Sequence, residues 1–538
     1  MDADLTLTAL RTLAAGPLDT GPLATVGVDL QQAGVIAAAL LAGVALLAPP
    51  PRVRAVAMAL ALILTPALLI SEIWDTSQLD PIRNRPGLAA AGAAVALLVL
   101  VAAALLIRRK PVVFPVAAVA VLPFRVPIES AGETANLLVP LYFVIAAGAL
   151  AFVIDRFAGR EEPVRPRPGA LEWLLALAVL AYAAQASYSG DFSKALQQLV
   201  FFYVPFMLLF ALLVQVEWTP RLALVCLGVL VALGLAFAAV GVVEYRTRTL
   251  LLNPKVISSN QLESYFRVNS LFFDPNIFGR FLVVVMLGVA TVMVWARQRR
   301  VVAGCVLVLA VLWGGLVLSL SQSSLSALLI GLLVLGGLRW SVKVAAAIGT
   351  CAVAIGLAIV LITPGAIGVK NKSLDRATSG RADLVQGGAR LLRERPIGGW
   401  GSGGFSVEYK RAERATSAQA VSASHTIPVT VGAEQGAIGL AIYLALLAAA
   451  FWRLLRGASR SPLRAAVGAM FVALVFHTLL YAAFLEDPLA WALLAVGSAL
   501  AAAAGRGDVA PEPNGAPAGP AAGRVDGARG PDGAPATP

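Results

Sequence analysis

Recurring apolar segments limit how this chain can fold more than any other feature of its sequence. Runs of about 20 mainly apolar residues recur along almost all of its 538 residues. A helix of that length spans the hydrocarbon core of a bilayer. Only 13% of the residues are charged, whereas soluble domains carry about 25%. The pattern predicts an all-α polytopic membrane protein that has the lipid bilayer as its surroundings.

The apolar segments can be placed along the chain to within a few residues. They lie at residues 33–49, 54–71, 88–107, 112–124, 136–154, 170–187, 195–216, 221–243, 276–296, 301–320, 323–338, 342–363, 432–454, 463–484 and 488–504. The segment 112–124 is short enough to be re-entrant instead of spanning. The series predicts about 12–15 transmembrane helices.

The loops between these segments predict the orientation of the protein. Every second loop is basic, as at 108–110 and 297–300, and basic loops stay on the cytoplasmic side. We therefore expect a multi-pass protein of the cytoplasmic membrane, with the N-terminus outside. Two long loops, 244–275 and 364–431, then lie on the external face. The first residues lack the basic start and apolar core of a signal peptide.

The same features divide the chain into three predicted parts. Residues 1–190 form N-terminal transmembrane helices, and residues 191–504 form a transmembrane core that carries the two external loops. Residues 505–538 are rich in Gly, Pro and Ala, and have too little apolar surface to pack. We expect this segment to be a disordered cytoplasmic tail.

The external loop 364–431 is unusually basic, with ten Lys or Arg against five Asp or Glu. Long loops cross a membrane regardless of their charge, so the excess has either no function or forms an anion-binding surface. The net charge of +12 would suggest nucleic acid in a soluble protein. Here most of the positive charge lies in short loops, where the preference of basic loops for the cytoplasmic side explains it. We therefore expect no nucleic acid partner.

A first candidate motif lies at the end of the loop 244–275. Arg267 precedes Asp274, Pro275 and Asn276, which open the next apolar segment. The guanidinium presents a fixed fork of donors that suits phosphate oxygens. Asp274 and Pro275 equally fit a plain helix cap with Pro in the first turn. A phosphate-binding role for Arg267 is therefore one of two interpretations of this segment.

A second candidate motif occupies the middle of the loop 364–431. Arg381 is followed by the glycine-rich run 396–405, which contains Gly401 and Gly403, and then by Tyr409. Glycines let backbone amides approach a ligand closely, but a structural turn explains them as well. The run is not a phosphate-binding P-loop, because no Gly-Lys-Ser/Thr follows it.

A third candidate motif joins the end of this loop to the next helix. His425 is followed by Glu434 nine residues later, and a histidine in such a loop either acts as a base near neutral pH or is structural. His477 lies within an apolar segment, which favours a buried packing role. Asp487 belongs to an external turn that is a candidate lining of the same cavity.

The order of these motifs resembles that of the O-antigen ligase and polymerase family of bacterial envelope glycosyltransferases, over roughly residues 195–490. The family has an Arg early in its large external loop, a glycine-rich run ending in an aromatic residue, and a His followed by Glu-x-Gly. Two departures are Thr426, where the family often has Asn, and the run 321–324, where it often has a Ser-Arg pair. The resemblance implies a GT-C-like fold, to which the first helices are an addition.

The resemblance also implies an activity. Such proteins transfer or polymerise a glycan from an undecaprenyl-diphosphate carrier onto an acceptor hydroxyl on the external face of the membrane. The partners would be a polyprenyl-diphosphate-linked glycan donor and a glycan or lipid acceptor. The expected enzyme is a metal-independent inverting glycosyltransferase that needs no cofactor.

Site residues follow from the same resemblance. Arg267 and Arg381 would hold the diphosphate, and His425 would take or orient the proton of the acceptor hydroxyl. Glu434 would orient His425 or contact sugar. In one continuous helix these two side chains would face opposite sides, so they converge only if the chain bends near Pro428. Gly401, Gly403, Tyr409 and Asp487 are candidates for the substrate lining.

Two other classes of function remain open. A transporter or flippase for a polysaccharide or a lipid-linked glycan would also need many helices and basic loops, although it usually shows internal repeats. A structural protein of cell-wall assembly would leave the region of His425 as mere surface. The cysteines, Cys226, Cys305 and Cys351, lie in apolar runs without a Cys-x-x-Cys pair, which favours packing over a metal site.

Overall fold

The computed structural model describes most of the chain, with gaps at both ends and in several loops. The described residues are 22–74, 79–130, 133–160, 167–251, 266–362, 381–413, 426–481 and 483–507. His425 and the predicted tail 505–538 beyond residue 507 therefore lie outside the described residues.

Nineteen α-helices form almost all of the described structure. In chain order they are α1 (Pro22–Leu47), α2 (Pro51–Ile73), α3 (Asp80–Asn84), α4 (Pro86–Arg109), α5 (Val113–Val121), α6 (Val139–Phe157), α7 (Ala170–Ala186), α8 (Phe192–Gln198), α9 (Val204–Leu213), α10 (Pro220–Thr247), α11 (Pro275–Trp295), α12 (Arg299–Leu318), α13 (Gln322–Arg339), α14 (Val342–Ile362), α15 (Arg381–Glu394), α16 (Phe405–Glu413), α17 (Ile427–Leu455), α18 (Pro462–Leu480) and α19 (Pro488–Gly507). A π-helical turn, Leu199–Tyr203, joins α8 to α9, and a 3₁₀ turn, Ala458–Arg460, follows α17.

Each predicted apolar segment corresponds to a helix, which confirms the all-α polytopic fold. Twelve helical stretches in the described part of the chain are long and apolar enough to cross a membrane. The chain is a multi-pass membrane protein. Helix α5 has only nine residues, about 14 Å of rise, and cannot span a bilayer core of about 30 Å as a helix.

A two-stranded β-hairpin between α5 and α6 is the one departure from the all-helical prediction among the described residues. Strand β1 (Val126–Ser130) pairs with strand β2 (Glu133–Leu137) in antiparallel register, with Val126 opposite Leu137. The prediction treated this stretch as a simple connection, because it lies between two strong apolar segments. The hairpin matters for the site because it begins directly after Arg125.

The core is built around α11. In an 18-residue stretch of the spans Pro275–Trp295 and Phe192–Leu213, 78% of the residues are buried within the protein, whereas in Pro86–Arg109 the share is only 6%. Helix α11 packs against α12, α13 and α18, so its polar first turn is surrounded by protein. The end of the bundle at which α11, α17 and α19 begin is called the site end below.

Candidate active site

The glycine-rich part of the large loop packs against a break in helix α17. We call this contact, between residues 396–405 and 433–438, the glycine junction. Gly436 has φ 64° and ψ −161°, which are not helical. The Ala437 amide therefore donates to the Pro396 carbonyl at 2.7 Å, and the Gly401 amide donates to the Glu434 carbonyl at 2.8 Å. The loop thus satisfies backbone groups that the break in α17 exposes.

Backbone geometry explains why glycines are needed in the glycine junction. Gly401 has φ +96° and Gly403 has φ +77°, in the region that residues with a Cβ rarely adopt. A Cβ at Gly401 would also overlap Ser189, and one at Gly403 would lie 2.9 Å from the backbone nitrogen of Ala195. These contacts favour the structural-turn interpretation. A substrate-lining role for both glycines stays a prediction.

The carboxylate of Glu434 faces the glycine junction. It is buried and accepts hydrogen bonds from the amides of Gly403 and Phe405, the latter at 3.2 Å. Phe405 is the first residue of α16, so Glu434 supplies an acceptor for an unpaired amide at the start of that helix. Its role toward His425 is not tested by these contacts.

The bend in α17 lies in a different place from the one we considered. Pro428 sits in the first turn, where a helix tolerates proline, and the break occurs eight residues later at Gly436. Helix α17 therefore keeps a regular course from Ile427 to Glu434. Its N-terminus is tied to α18, because the Thr426 hydroxyl donates to the Leu479 carbonyl at 3.2 Å.

Tyr409 packs inside the protein next to the glycine junction. Its ring stacks on Phe405, with centroids 5.7 Å apart and planes 18° apart, and both belong to a small core with Leu391 and Ala433. The side chain of Tyr409 is 6% exposed. Its observed contacts are therefore packing contacts, and its predicted role in lining a substrate stays a prediction.

Arg267 lies against the first turn of α11. Its Nε donates to the Ser319 carbonyl at 3.2 Å, and a terminal nitrogen donates to Asn276 Oδ1 at 3.4 Å. Asp274 caps the helix, because its carboxylate accepts the amide hydrogen of Asn276 at 2.6 Å. The cap interpretation of Asp274 is thus what the structure shows. The predicted phosphate-binding role of Arg267 remains a prediction.

Glu244, near the end of α10, anchors the segment that carries Arg267. Its buried carboxylate accepts the amide hydrogens of Leu251, Asn269 and Ser270 at 3.1, 3.2 and 2.7 Å. Ser270 has a positive φ of 52°, which is uncommon for a residue with a Cβ. The backbone around Arg267 is therefore held in one conformation by a single buried acid.

Two arginines line one small cleft, of about 20 Å³, at the site end. Its charged lining residues are Arg125, Arg280 and Asp487, and we call these three the arginine cluster. Arg280 pairs with Asp487 at 2.6 Å, and both side chains are almost fully buried. The predicted lining residue Asp487 thus has a basic partner that the sequence prediction did not identify.

The arginine cluster carries one more positive charge than negative charge. Among the described residues, Arg125 donates no hydrogen bond; its guanidinium lies 5.1 Å from the centre of the Phe273 ring and interacts electrostatically with Asp487 and Glu486. The Nε of Arg280 is buried and has no hydrogen-bond partner among them. A buried excess cation is costly unless something anionic offsets it.

Tyr481 and Glu486 connect the arginine cluster to the neighbouring elements. The guanidinium of Arg280 lies 5.8 Å from the Tyr481 ring centre, and the Tyr481 hydroxyl bonds to the side chain of Asp274. Glu486 accepts a hydrogen bond from Gln198 at 2.6 Å. Burial raises the pKa of Glu486, and the nearby cations, Lys194 first, lower it.

Two of the predicted residues can be placed only in part. Arg381 is the first residue of α15, and its side chain lies outside the described structure. His425 lies entirely outside the described residues, directly before Thr426 at the start of α17. In the described part of the chain, no three His, Cys, Asp or Glu side chains form a group suited to a metal ion.

Sequence analysis missed Arg125 and Glu244 as parts of the site, and it assigned no role to Arg280, which follows Asn276 by one helical turn. The available signal was a charged residue next to or within an apolar segment, since ionisable groups at membrane depth are usually functional. Arg280 and Glu244 each lie within a strongly apolar helix. Nothing in the local sequence indicates that Arg125 approaches Arg280, because they are far apart along the chain.

Comparison with known families supports the resemblance found in the sequence. Residues 307–444 match the family model described as O-antigen ligase, which is about a quarter of the chain. The matched region contains Arg381, the glycine-rich run 396–405, His425 and Glu434. Arg267 and the arginine cluster lie outside it. No curated protein matches the chain.

Proposed function

We propose, from the premise that residues 307–444 form an O-antigen ligase domain, that this membrane protein is a glycosyltransferase. The donor would be a glycan on an undecaprenyl-diphosphate carrier, and the acceptor a hydroxyl of a glycan or lipid. The acceptor oxygen attacks the anomeric carbon as the bond to the diphosphate breaks, which inverts that centre. The site end would face the outside of the cytoplasmic membrane.

The excess positive charge of the arginine cluster is the observation that carries this proposal. The leaving diphosphate gains negative charge as its bond to the sugar breaks, and preorganised cations in a dry site stabilise that charge strongly. Arg280 lies one helical turn beyond Asn276, about 6 Å along the axis of α11. Because Arg267 contacts Asn276, we propose that Arg267 and the arginine cluster bind one extended, doubly charged group together.

The proton of the acceptor would go to His425. This histidine precedes Thr426, whose hydroxyl is fixed to the end of α18, and that helix leads to Tyr481 and the arginine cluster. Arg381 would approach the diphosphate from the start of α15, as the family resemblance implies. The charge would thus be offset by side chains alone, without a metal ion.

In this proposal the glycine junction supports the site, in place of the substrate contacts that the sequence predicts for Gly401, Gly403 and Tyr409. Glu434 fixes the start of α16 through two amides, and the break at Gly436 lets the loop pack onto α17. We therefore assign Glu434, Gly401, Gly403 and Tyr409 to holding the loop that carries Arg381 and His425. If Glu434 only holds the loop, its substitution should lower stability. If Glu434 is catalytic, its substitution should lower kcat.

Transfer in proteoliposomes tests the proposed function. The purified protein is given a lipid-diphosphate-linked glycan and an acceptor, with and without a chelator. We expect transfer to continue with chelator, and to fall at least a hundredfold in His425→Ala and Arg381→Ala. Arg393→Ala is the matched control, because Arg393 lies on the exposed side of the same helix α15.

Three outcomes would count against the proposal. Parental transfer by both variants would remove the assigned residues from the site. Loss of transfer with chelator would remove the metal-independent mechanism. Movement of the lipid-linked glycan across the bilayer without any transfer would instead identify a flippase.

A further inference from the structure

A chain of hydrogen bonds runs from the buried His477 to Arg267. His477 Nε2 lies 3.1 Å from the Ser324 hydroxyl, which lies 2.8 Å from the Ser321 hydroxyl. Ser321 in turn donates to Asn276 Oδ1 at 2.8 Å, and Arg267 donates to the same oxygen at 3.4 Å. Asn276, Ser324 and His477 lie in α11, α13 and α18, Ser321 directly precedes α13, and Arg267 lies in the segment before α11.

The direction of each hydrogen bond in this chain can be derived. A guanidinium can only donate, so it is the oxygen of the Asn276 amide that faces Arg267. That oxygen can only accept, and the Ser321 proton must point to it. Ser321 then has no proton left for Ser324, so Ser324 donates to Ser321. His477 Nε2 must therefore carry a proton and donate to Ser324.

The competing contacts of the serines are longer than the 2.8 Å bonds that join Ser324, Ser321 and Asn276. Ser324 can also donate to the Asn276 carbonyl at 3.3 Å, and Ser323 to Asn276 Oδ1 at 3.5 Å. Ser323 also lies 3.2 Å from His477 Nε2, as a second acceptor for the same proton. The 2.8 Å bonds through Ser321 determine the arrangement, because hydroxyl hydrogen bonds are shortest when best aligned.

We propose that His477 is a positioning residue for Arg267, acting through Ser324, Ser321 and Asn276. The donated proton on Nε2 directs both serine hydroxyls toward the Asn276 oxygen, which keeps that oxygen turned to the guanidinium. His477 does not contact the substrate. The inference deepens the proposed function and rests on it, since Arg267 is the residue assigned there to the donor diphosphate.

Nuclear magnetic resonance of the ring nitrogens tests the hydrogen-bond chain without any activity. The protein has two histidines, so a His425→Ala variant that is labelled with ¹⁵N-histidine and purified through a histidine-free tag reports on His477 alone. We expect a protonated Nε2 and an unprotonated Nδ1 at neutral pH. Ser324→Ala should shift the Nε2 signal. Protonation at Nδ1 alone, or no response to Ser324→Ala, would overturn the inference.

Kinetics test the link to the donor in protein that retains His425. We expect His477→Leu to raise KM for the lipid-diphosphate donor about tenfold, the effect of one lost hydrogen bond, with a smaller change in kcat. His477→Gln should keep KM close to the parental value, because the Gln amide can donate to Ser324. The double variant His477→Leu/Asn276→Ala should have the same KM for the donor as Asn276→Ala alone, because both substitutions break the same chain of hydrogen bonds.

The two arms separate this inference from the proposed function. An active protein with an unchanged KM in His477→Leu and in Ser321→Ala would overturn the positioning role only. If the His425→Ala protein shows the expected tautomer but the parental protein transfers no glycan, the proposed function is overturned instead. Ser321→Ala removes only one hydroxyl from the same chain of hydrogen bonds. It therefore provides the KM test if His477→Leu does not fold.

Discussion

The glycine junction and the arginine cluster both bury charge at the site end, but they neutralise it differently. In the glycine junction, the Glu434 carboxylate is turned to two backbone amides of the loop. In the arginine cluster, Arg280 pairs with the buried carboxylate of Asp487, and Arg125 lines the same cleft as a second cation. Buried polar groups in folded proteins are nearly always paired.

The difference distinguishes a support from a binding site. A charge that is matched by its own protein needs no ligand, and its removal should cost stability first. A charge left in excess at a cleft is destabilising in the free protein and is offset when an anion binds. Activity should therefore follow the arginine cluster, and folding should follow the glycine junction.

The largest expected effect comes from Arg280→Met. It leaves the buried Asp487 without its partner, and breaking a buried ion pair costs about 3–5 kcal/mol of unfolding free energy. The double variant Arg280→Met/Asp487→Asn removes both charges and keeps an acceptor for the Leu489 amide. Its midpoint of thermal unfolding should recover, while transfer stays roughly tenfold to a hundredfold low. Thermal unfolding in detergent and the transfer assay measure the two effects.

Arg160→Ala is the control for this pair of variants. Arg160 is exposed and shares Asp155 with Arg108, so its loss should change the unfolding free energy by less than about 1 kcal/mol. Parental transfer by the double variant would mean that the arginine cluster is only structural. The comparison between the two regions would then fail.

Gly436→Ala should have the next largest effect, on folding. The added Cβ would overlap the Ile397 carbonyl, at a residue whose φ is +64°. Strain of this kind costs about 1–3 kcal/mol, and the overlap adds to it. Gly228→Ala on α10 is the matched control, since a Cβ there meets no atom within 4 Å. If both variants have the same midpoint of thermal unfolding and yield, the glycine junction is not the support that we describe.

Glu434→Gln distinguishes a support from a catalytic acid more directly. The amide oxygen of Gln can still accept from Phe405, so we expect a loss of about 1 kcal/mol in stability and less than a tenfold loss in transfer. Glu434→Ala removes the acceptor and should cost about 1–3 kcal/mol. A drop of a hundredfold or more in kcat for Glu434→Gln, with unchanged stability, would show that its charge acts in the reaction.

Local features of the sequence predicted the fold well. Each apolar segment is continuous along the chain, so its helix could be placed without knowing its neighbours. The cap at Asp274 was among the alternatives for the same reason, since Asp-Pro at a helix start is a local motif. The hairpin Val126–Leu137 was missed because two short strands between strong apolar runs give no comparable signal.

Contacts between distant segments could not be predicted in this way. The break at Gly436 depends on residues 396–401, which occupy the backbone groups that it exposes. The pairing of Arg280 with Asp487 joins residues about 200 positions apart, as the backbone contact of Arg280 with Ala483 also does. The motif order predicted that Arg267, Glu434 and Asp487 lie at one end of the bundle. It did not predict which residues each of them contacts.

The smallest expected effect concerns pH and Glu486, which lies beside the arginine cluster. Burial raises the pKa of this carboxyl above its ordinary value of about 4.3, so the folded protein binds the proton more tightly than the unfolded chain does. Its contribution to stability is then complete below pH of about 4.3 and is lost as pH rises through the folded pKa. The midpoint of thermal unfolding should fall over that range, and Glu486→Gln should flatten the fall, since it cannot ionise. A steeper fall in the variant would mean that Lys194 and the two arginines hold Glu486 ionised, and that the excess charge of the arginine cluster is smaller than we infer.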